Sequence, residues 1–416
     1  MPSCSSWGLL LLAGLCCLAP GFQMTEPQEI AWSDHGHQHQ EPLPCHNFSA
    51  DVIDLAFTLY REPATWSRHT NILFSPVSIA MAFAMLSMGT KGDTHAQILE
   101  GLKLKSRGTP EAQIHECFRH LLLVFQQPGK RRQLTTSSSL FIQRRLKLLD
   151  KFVQDARNLY HSDIVPINFK NIKGAKKQIN SYMEQKTQRK VKGLVKDLKN
   201  GTALALVNYI SFHGKVAPPA EAERHITEDF HVNKKTTVKV PMINCLGNFF
   251  LHRDKELSSW VLVQHYLGDT TAFAILPDPG KMEQVEKKLT QRHFEDILRA
   301  IDLRSVNLHF PKLSISGTYD LRILLSRLGI TKVFSNGADL SGITEKSPLS
   351  LSQALHKAVL TLDKKEIVTS GATKWEENAL SKAPTLQFNR PFLLIVKDEY
   401  TNFPLFGAKV VNPIQK

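Results

Sequence analysis

Beyond its opening segment the chain has no apolar run of about 18 residues, so nothing there is long enough to cross a bilayer as a helix. Cysteine is scarce. Of six, Cys4, Cys16 and Cys17 fall in the opening segment, which leaves Cys45, Cys117 and Cys245. An odd number means that at least one thiol is free or pairs with another molecule, so a hydrophobic core, not a disulfide framework, must hold the fold. No internal repeat with a period of about 20–50 residues is apparent, which argues against a solenoid or propeller.

The short motifs of common enzymes are missing as well. There is no G-x-S-x-G, no P-loop and no G-x-G-x-x-G. "HECFRH" sets His115 and His120 five residues apart, about 140° around a helix, where a zinc protease needs two His on one face. His35, His37 and His39 alternate in a polar stretch without the carboxylate partners that orient ligating imidazoles. No enzyme, cofactor or metal site is expected.

Negative charge is in deficit: 52 Lys and Arg stand against 38 Asp and Glu, a net +14. Basic residues cluster at Lys103, Lys105 and Arg107, at Lys130, Arg131 and Arg132, and at Arg144, Arg145 and Lys147. The plain reading is solvated surface. A basic face also attracts sulfated glycans, anionic membranes or nucleic acid. Aromatic interleaving for base stacking is absent, so nucleic acid is not expected.

What is present begins with "MPSCSSWGLLLLAGLCCLAPG", whose apolar stretch from Trp7 to Leu18 is too short to span a membrane. It reads as a secretory signal over 1–21, cut after Ala19 or Gly21, although it lacks Lys or Arg near its start. A secreted or lumenal product is expected. Asn47 and Asn200 then become usable N-glycosylation sequons. Residues 22–46 are polar and aperiodic and read as a flexible tail.

From residue 49 the patterns strengthen. "SADVIDLAFTLYREPA" has one apolar helical face, and "SPVSIAMAFAMLSMG" opens on Ser75 and Pro76, closes on Gly89 and is apolar all round, as a central buried helix is. "TPEAQIHECFRHLLLVFQQPG" reads as a third helix. Strands are expected at "LTTSSSLFIQ", "ALALVNYISFHG", "TTVKVPMI", "SSWVLVQHYL", "TTAFAILP", "VNLHFPKLSIS", "ALHKAVLTL", "LQFNRPFLLIVKD" and "PLFGAKVVNP". Helices early and strands late indicate an α+β fold with large, mostly antiparallel sheets. No Pro/Gly-rich linker divides 47–416, so one large domain is expected. Between two of the strands lies "DKKEIVTSGATKWEENALSKAP", residues 363–384, a long connection of the kind that is usually functional or disordered.

"NILFSPVSIAMAFAMLSMGTKGDTHAQILEGL" (71–102), "LALVNYISFHGK" (204–215), "HFPKLSISGTYDL" (309–321), "LGITKVFSNGADLSGIT" (328–344), "LHKAVLTLDKK" (355–365) and "FNRPFLLIVKDEYTNFPLFGAKVVNP" (388–413) together resemble the serpins, in order and through nearly the whole chain. The resemblance implies one domain of three β-sheets and about nine helices, with an exposed reactive loop as bait for a serine protease. After cleavage such a loop inserts into the central sheet and carries the acyl-enzyme with it, releasing strain stored in a metastable fold. It implies a bait bond at Leu380–Ser381, suited to a chymotrypsin- or elastase-like protease with an apolar primary pocket. It also implies a hydrogen-bonded cluster of Ser75, Ser78, Asn208 and His356 where the strands part.

The chain departs from the family at the hinge. Glu366 stands where a glycine is usual and is followed by Ile367, Val368, Thr369, Ser370, Gly371 and Ala372. An inserted strand would turn Ile367, Thr369, Gly371, Thr373, Trp375 and Glu377 inward. Trp375 would overpack at about 1–3 kcal/mol, and a buried ionised Glu377 would cost several kcal/mol. At the sheet entry Val216 and Ala220 replace aromatics, and Lys364 would face Lys312 with like charge. Nothing in the sequence explains Gly407–Ala408 in place of Met–Gly.

The expectation is a monomeric secretory serpin of the inhibitor class whose trapping is impaired. Two alternatives stand beside it: a non-inhibitory carrier or interaction protein, and a polymer-prone form retained in the endoplasmic reticulum.

Overall fold

The computed structural model describes residues 45, 49–66, 69–105, 108–126, 133–215, 223–345, 348–363 and 383–415. Chain order begins α1 (Ser49–Trp66), β1 (Ile72–Phe74), α2 (Pro76–Ser87), α3 (Gly92–Gly101), α4 (Glu111–Gln126), β2 (Gln133–Gln143), α5 (Asp150–Tyr160) and β3 (Asp163–Ile167). It continues with α6 (Ile172–Lys186), β4 (Leu204–Lys215), β5 (Glu223–Asn233), β6 (Thr236–Asp254), β7 (Ser259–Tyr266), β8 (Thr270–Pro277), α7 (Met282–Lys288) and α8 (Gln291–Ala300). The last elements are β9 (Asp302–Pro311), β10 (Leu313–Asp320), α9 (Leu321–Ser326), β11 (Gln353–Asp363), β12 (Thr385–Gln387), β13 (Phe392–Asp398) and β14 (Pro404–Val410).

α2 is the helix that the sequence marks most clearly. Ser75 caps it through a side chain accepting from Ser78 N–H, Pro76 occupies the first turn where no intrahelical N–H is needed, and every residue from Pro76 to Ser87 is buried. It underlies a five-stranded sheet in the order β10-β11-β4-β2-β3. Along β4 and β11 the even-numbered residues, such as Leu206, Ile210, Ala358 and Leu360, join the main core with α2. The odd-numbered Val207, Tyr209 and Leu355 join a second core beneath α6. This is the two-residue alternation of a strand buried on both faces.

The other ladder has nine strands, β1-β14-β13-β8-β7-β6-β9-β12, with β5 also paired to β6. β6 explains its size. Its first part pairs with β5 as far as Cys245, its last part pairs with β7 from Phe250, and β9 runs beside the middle. Divided along that strand, the two ladders correspond to the three sheets that the resemblance implies, and nine α-helices lie among the described residues.

Two expected strands are each two strands. "VNLHFPKLSIS" breaks at Lys312, so that Pro311 ends β9 in one sheet and Leu313 begins β10 in the other. Proline has no N–H to continue the ladder. "LQFNRPFLLIVKD" breaks likewise into β12 and β13 ahead of Phe392. The two sheets meet closely at Gly317, where a Cβ would stand 1.9 Å from the carbonyl oxygen of Leu73, so only glycine fits. Cys45 and Cys117 form a disulfide that ties the chain ahead of α1 to α4, and both are fully buried.

Candidate functional site: a parallel seam and its polar cluster

β4 and β11 are neighbours and parallel, paired from Gln353↔Ala205 to Asp363↔Lys215. Their outer neighbours, β2 and β10, are each antiparallel to them. β11 ends at Asp363, and the chain reaches β12 on β9 of the other sheet, where Thr385 pairs with Asn307. A strand turning back from Asp363 would run antiparallel to both β11 and β4, an orientation in which a tight turn suffices and both edges can pair. Leu380 and Ser381, the hinge residues Glu366, Ile367, Val368, Thr369, Ser370, Gly371 and Ala372, the entry residues Val216, Ala220 and Lys364, and Asn47 lie outside the described residues.

The four polar residues singled out by the sequence do meet, beneath this seam and with no exposed surface. Ser75 N–H donates to His356 Nε2 at 3.0 Å. A backbone N–H can only donate, so Nε2 accepts and the imidazole proton sits on Nδ1. Nδ1–H donates to Asn208 Oδ1 at 2.6 Å, and Ser78 Oγ donates to the same oxygen at 2.9 Å. Asn208 Nδ2 in turn donates to Ser138 Oγ on β2 at 3.1 Å. Burial, followed by the neighbouring charge of Lys357, holds the His356 pKa down at about 3, so the ring is neutral. The cluster satisfies its own donors while stitching α2, β11, β4 and β2 together.

Elsewhere the predicted residues scatter. Lys312 is exposed and lies just beyond the Leu313↔Leu362 pair of β10 and β11. Asn200 is exposed on a turn whose next residue, Gly201, has φ +82°. Lys103 and Lys105 have carboxylate partners, Asp54 at 3.5 Å and Glu111 at 3.3 Å. Arg144, Arg145 and Lys147 are exposed, while Arg107 and Lys130, Arg131 and Arg132 lie outside the described residues. An apolar cavity of about 40 Å3 lies between α1, α8, β13 and β14, lined by Phe57, Phe294, Leu393 and Phe406. Gly407 forms part of its wall, where a Cβ would stand 3.2 Å from the Phe74 ring. Sequence reading missed the basic character of α6 and residues 187–202, which composition over that window would have revealed.

Among the described residues no helix is long and apolar enough to cross a membrane, and no group of three or more His, Cys, Asp or Glu could hold a metal. The family described as Serpin (serine protease inhibitor) matches residues 50–413. The human alpha-1-antitrypsin-related protein is 57% identical over all of both chains, and pig (Sus scrofa) alpha-1-antitrypsin is 52% identical over all of both. The crystal structure of human thyroxine-binding globulin complexed with thyroxine matches with TM-score 0.82 at 37% identity, over 89% of this chain and 100% of that one. Sequence, sheet order and the buried cluster therefore agree, and the chain belongs to the serpin family.

Proposed function

We propose that this serpin is a secreted inhibitor directed at serine proteases with an apolar primary pocket, chymotrypsin- or elastase-like, which it engages at Leu380–Ser381. The observation that carries the reading is the parallel β4–β11 seam at the point where the loop departs. A strand returning from β11 gains two pairing edges once the seam parts. Separation requires the hydrogen bond between His356 and Asn208 to break, so their cluster acts as the latch. The signal at 1–21 supplies the route of secretion, and Asn47 and Asn200 the glycan sites.

Trapping competes with deacylation, so every obstacle to insertion turns the inhibitor into a substrate. Glu366 and the β-branched Ile367 and Val368 stiffen the hinge, Trp375 and Glu377 are poorly suited to an interior, and Val216, Ala220 and Lys364 alter the entry. Both cleaved and trapped products are expected. The test is incubation with chymotrypsin- and elastase-like proteases: an SDS-stable complex supports inhibition, whereas clean cleavage at 380–381 alone leaves the protein a substrate.

A carrier role is the second reading, favoured by the apolar cavity beside α1 and by likeness to a globulin whose structure holds thyroxine. At about 40 Å3 that cavity is far below the ~300–1,000 Å3 of sites for drug-sized ligands, so α1 or α8 must shift before one enters. Thermal shift with apolar ligands tests it. A rise in melting temperature supports the carrier, and none across a panel removes it.

A further inference from the structure

Residues 170–199 carry ten Lys and Arg against two acids, Glu184 and Asp197, which is +8 of the chain's +14. Of the ten, Lys186 alone has a carboxylate partner among the described residues, Asp163 at 2.6 Å. The others are Lys170 just ahead of α6, three lysines on α6 and five residues along the irregular segment of 187–203 that returns to β4. That segment is pinned from beneath. Val191, Leu194, Val195 and Leu198 are buried against the five-stranded sheet, while Arg189, Lys190, Lys192 and Lys196 are exposed. Asn180 of α6 clasps it with two hydrogen bonds, donating from Nδ2 to Val195 O at 2.9 Å and accepting from Val195 N–H at 2.8 Å. Gln353 at the start of β11 donates to Asp197 O at 3.1 Å. α6 and the segment thus form one plate that straddles the seam, with its cations outward.

These charges are not explained by stability. The first turn of α6 has no acidic residue, and Lys173, Lys176 and Lys177 crowd its positive N-terminal end, where the helix dipole disfavours cations. Lys196 also bears on Lys357 of β11, whose pKa is lowered by burial and then by that like charge. A surface that collects like charge at its own expense fits an anionic partner. The plate offers no base-stacking platform, since Tyr182, its one aromatic residue, donates to Asp163. It offers no apolar anchor for a membrane, because its apolar residues face the sheet.

We propose that α6 and the return segment form a docking surface for a sulfated glycosaminoglycan. A linear, densely charged chain can lie across Lys173 and Lys177 on the helix and Arg189, Lys190, Lys192 and Lys196 on the segment, displacing counterions as it binds. A regulatory consequence, which rests on the loop-insertion reading, is that the bound chain holds the plate on both strands and slows opening of the seam.

The test is salt elution of the full-length secreted protein from immobilised heparin, beside the variant R189Q/K190Q/K192Q/K196Q, its lysine-to-arginine counterpart K190R/K192R/K196R, and R144Q/R145Q/K147Q. The four-charge variant should lose at least about tenfold in affinity, with a shallower dependence on salt. The arginine counterpart and the Arg144 variant should stay close to the parent. Equal binding by the four-charge variant, or an equal loss in the Arg144 variant, overturns the proposal. So does equal binding to desulfated chains, to duplex DNA or to anionic vesicles. Whether heparin slows the heat-stabilisation that follows loop cleavage is then measured separately. If cleavage stabilises nothing, the insertion reading fails while the docking result stands. If insertion proceeds at the same rate with heparin bound, the regulatory consequence fails alone.

Discussion

His356 and Asn208 are register partners across the parallel seam and are joined by a side-chain hydrogen bond of 2.6 Å. The same contact that orders the imidazole holds β11 to β4. Whatever parts these strands must break it in a site with no exposed surface, which makes the pair a sensitive place to measure the seam.

Acid should loosen the fold through this histidine. The ring is held near pKa 3 when folded, by burial and then by Lys357, against 6.5 in the unfolded chain. Between those values the unfolded chain binds more protons, so the stability it contributes is complete above pH 6.5 and is lost as pH falls towards 3. The maximum slope is about 1.4 kcal/mol per pH unit. Urea unfolding at a series of pH values should show this slope in the parent and its loss in His356→Gln, which would be less stable at neutral pH. Identical pH profiles would remove His356 as the source.

Asn208→Ala deprives Ser78 Oγ and His356 Nδ1–H of their acceptor and Ser138 Oγ of its donor. Stranded buried groups cost about 1–3 kcal/mol each. A loss of about 3 kcal/mol is expected in equilibrium unfolding, with faster formation of polymers on native gels as the seam gapes. A loss below about 1 kcal/mol would show that the cluster relaxes.

Closing a loop over a sequence separation of 72 residues, the Cys45–Cys117 disulfide should contribute about 2–4 kcal/mol. Cys117→Ser, or reduction of the parent, should lower the melting temperature by the same amount, and reduction should leave the variant unchanged. A reduced parent that melts as before would show that the core alone carries this corner.

Away from the seam, Glu286 accepts from Lys409 Nζ at 2.7 Å and from the Tyr60 hydroxyl at 2.6 Å, with the Lys409 side chain 5% exposed. Glu286→Gln strands a buried ammonium and should cost about 3–5 kcal/mol, whereas E286L/K409M should recover most of it. Equal stability of the single and double variants would contradict this.

The parts of this fold that show in the sequence are those in which burial and local chemistry coincide. Ser75–Pro76 with an all-apolar run announces α2, and the strands paired on both sides carry dense apolar residues. β3, β5 and α6 are half-exposed and polar, so periodicity hardly distinguishes them from loop. The break at Lys312 is invisible because Phe310, Leu313 and Ile315 are all buried, though in different sheets. The Ser75, Ser78, Asn208 and His356 cluster came from family resemblance, since no local rule joins residues some 280 positions apart. The Cys45–Cys117 pairing was equally out of reach, because odd-cysteine arithmetic leaves every partner open.

Under the proposed insertion, Glu366→Gly would give backbone freedom at the hinge, where the loop would turn into the sheet. The ratio of SDS-stable complex to cleaved product should rise, with cleavage still at Leu380–Ser381. An unchanged ratio would place the obstacle further along the loop, at Trp375 or Glu377.

The most direct measurement is the melting temperature of the protein before and after a single cut within residues 364–382. Entry of the freed segment between β4 and β11 adds a fully paired strand to the central sheet, so the nicked protein should melt well above the intact one. A nicked protein that melts at the same temperature, or lower, would mean that the seam stays shut and that protease trapping by insertion is not what this chain does.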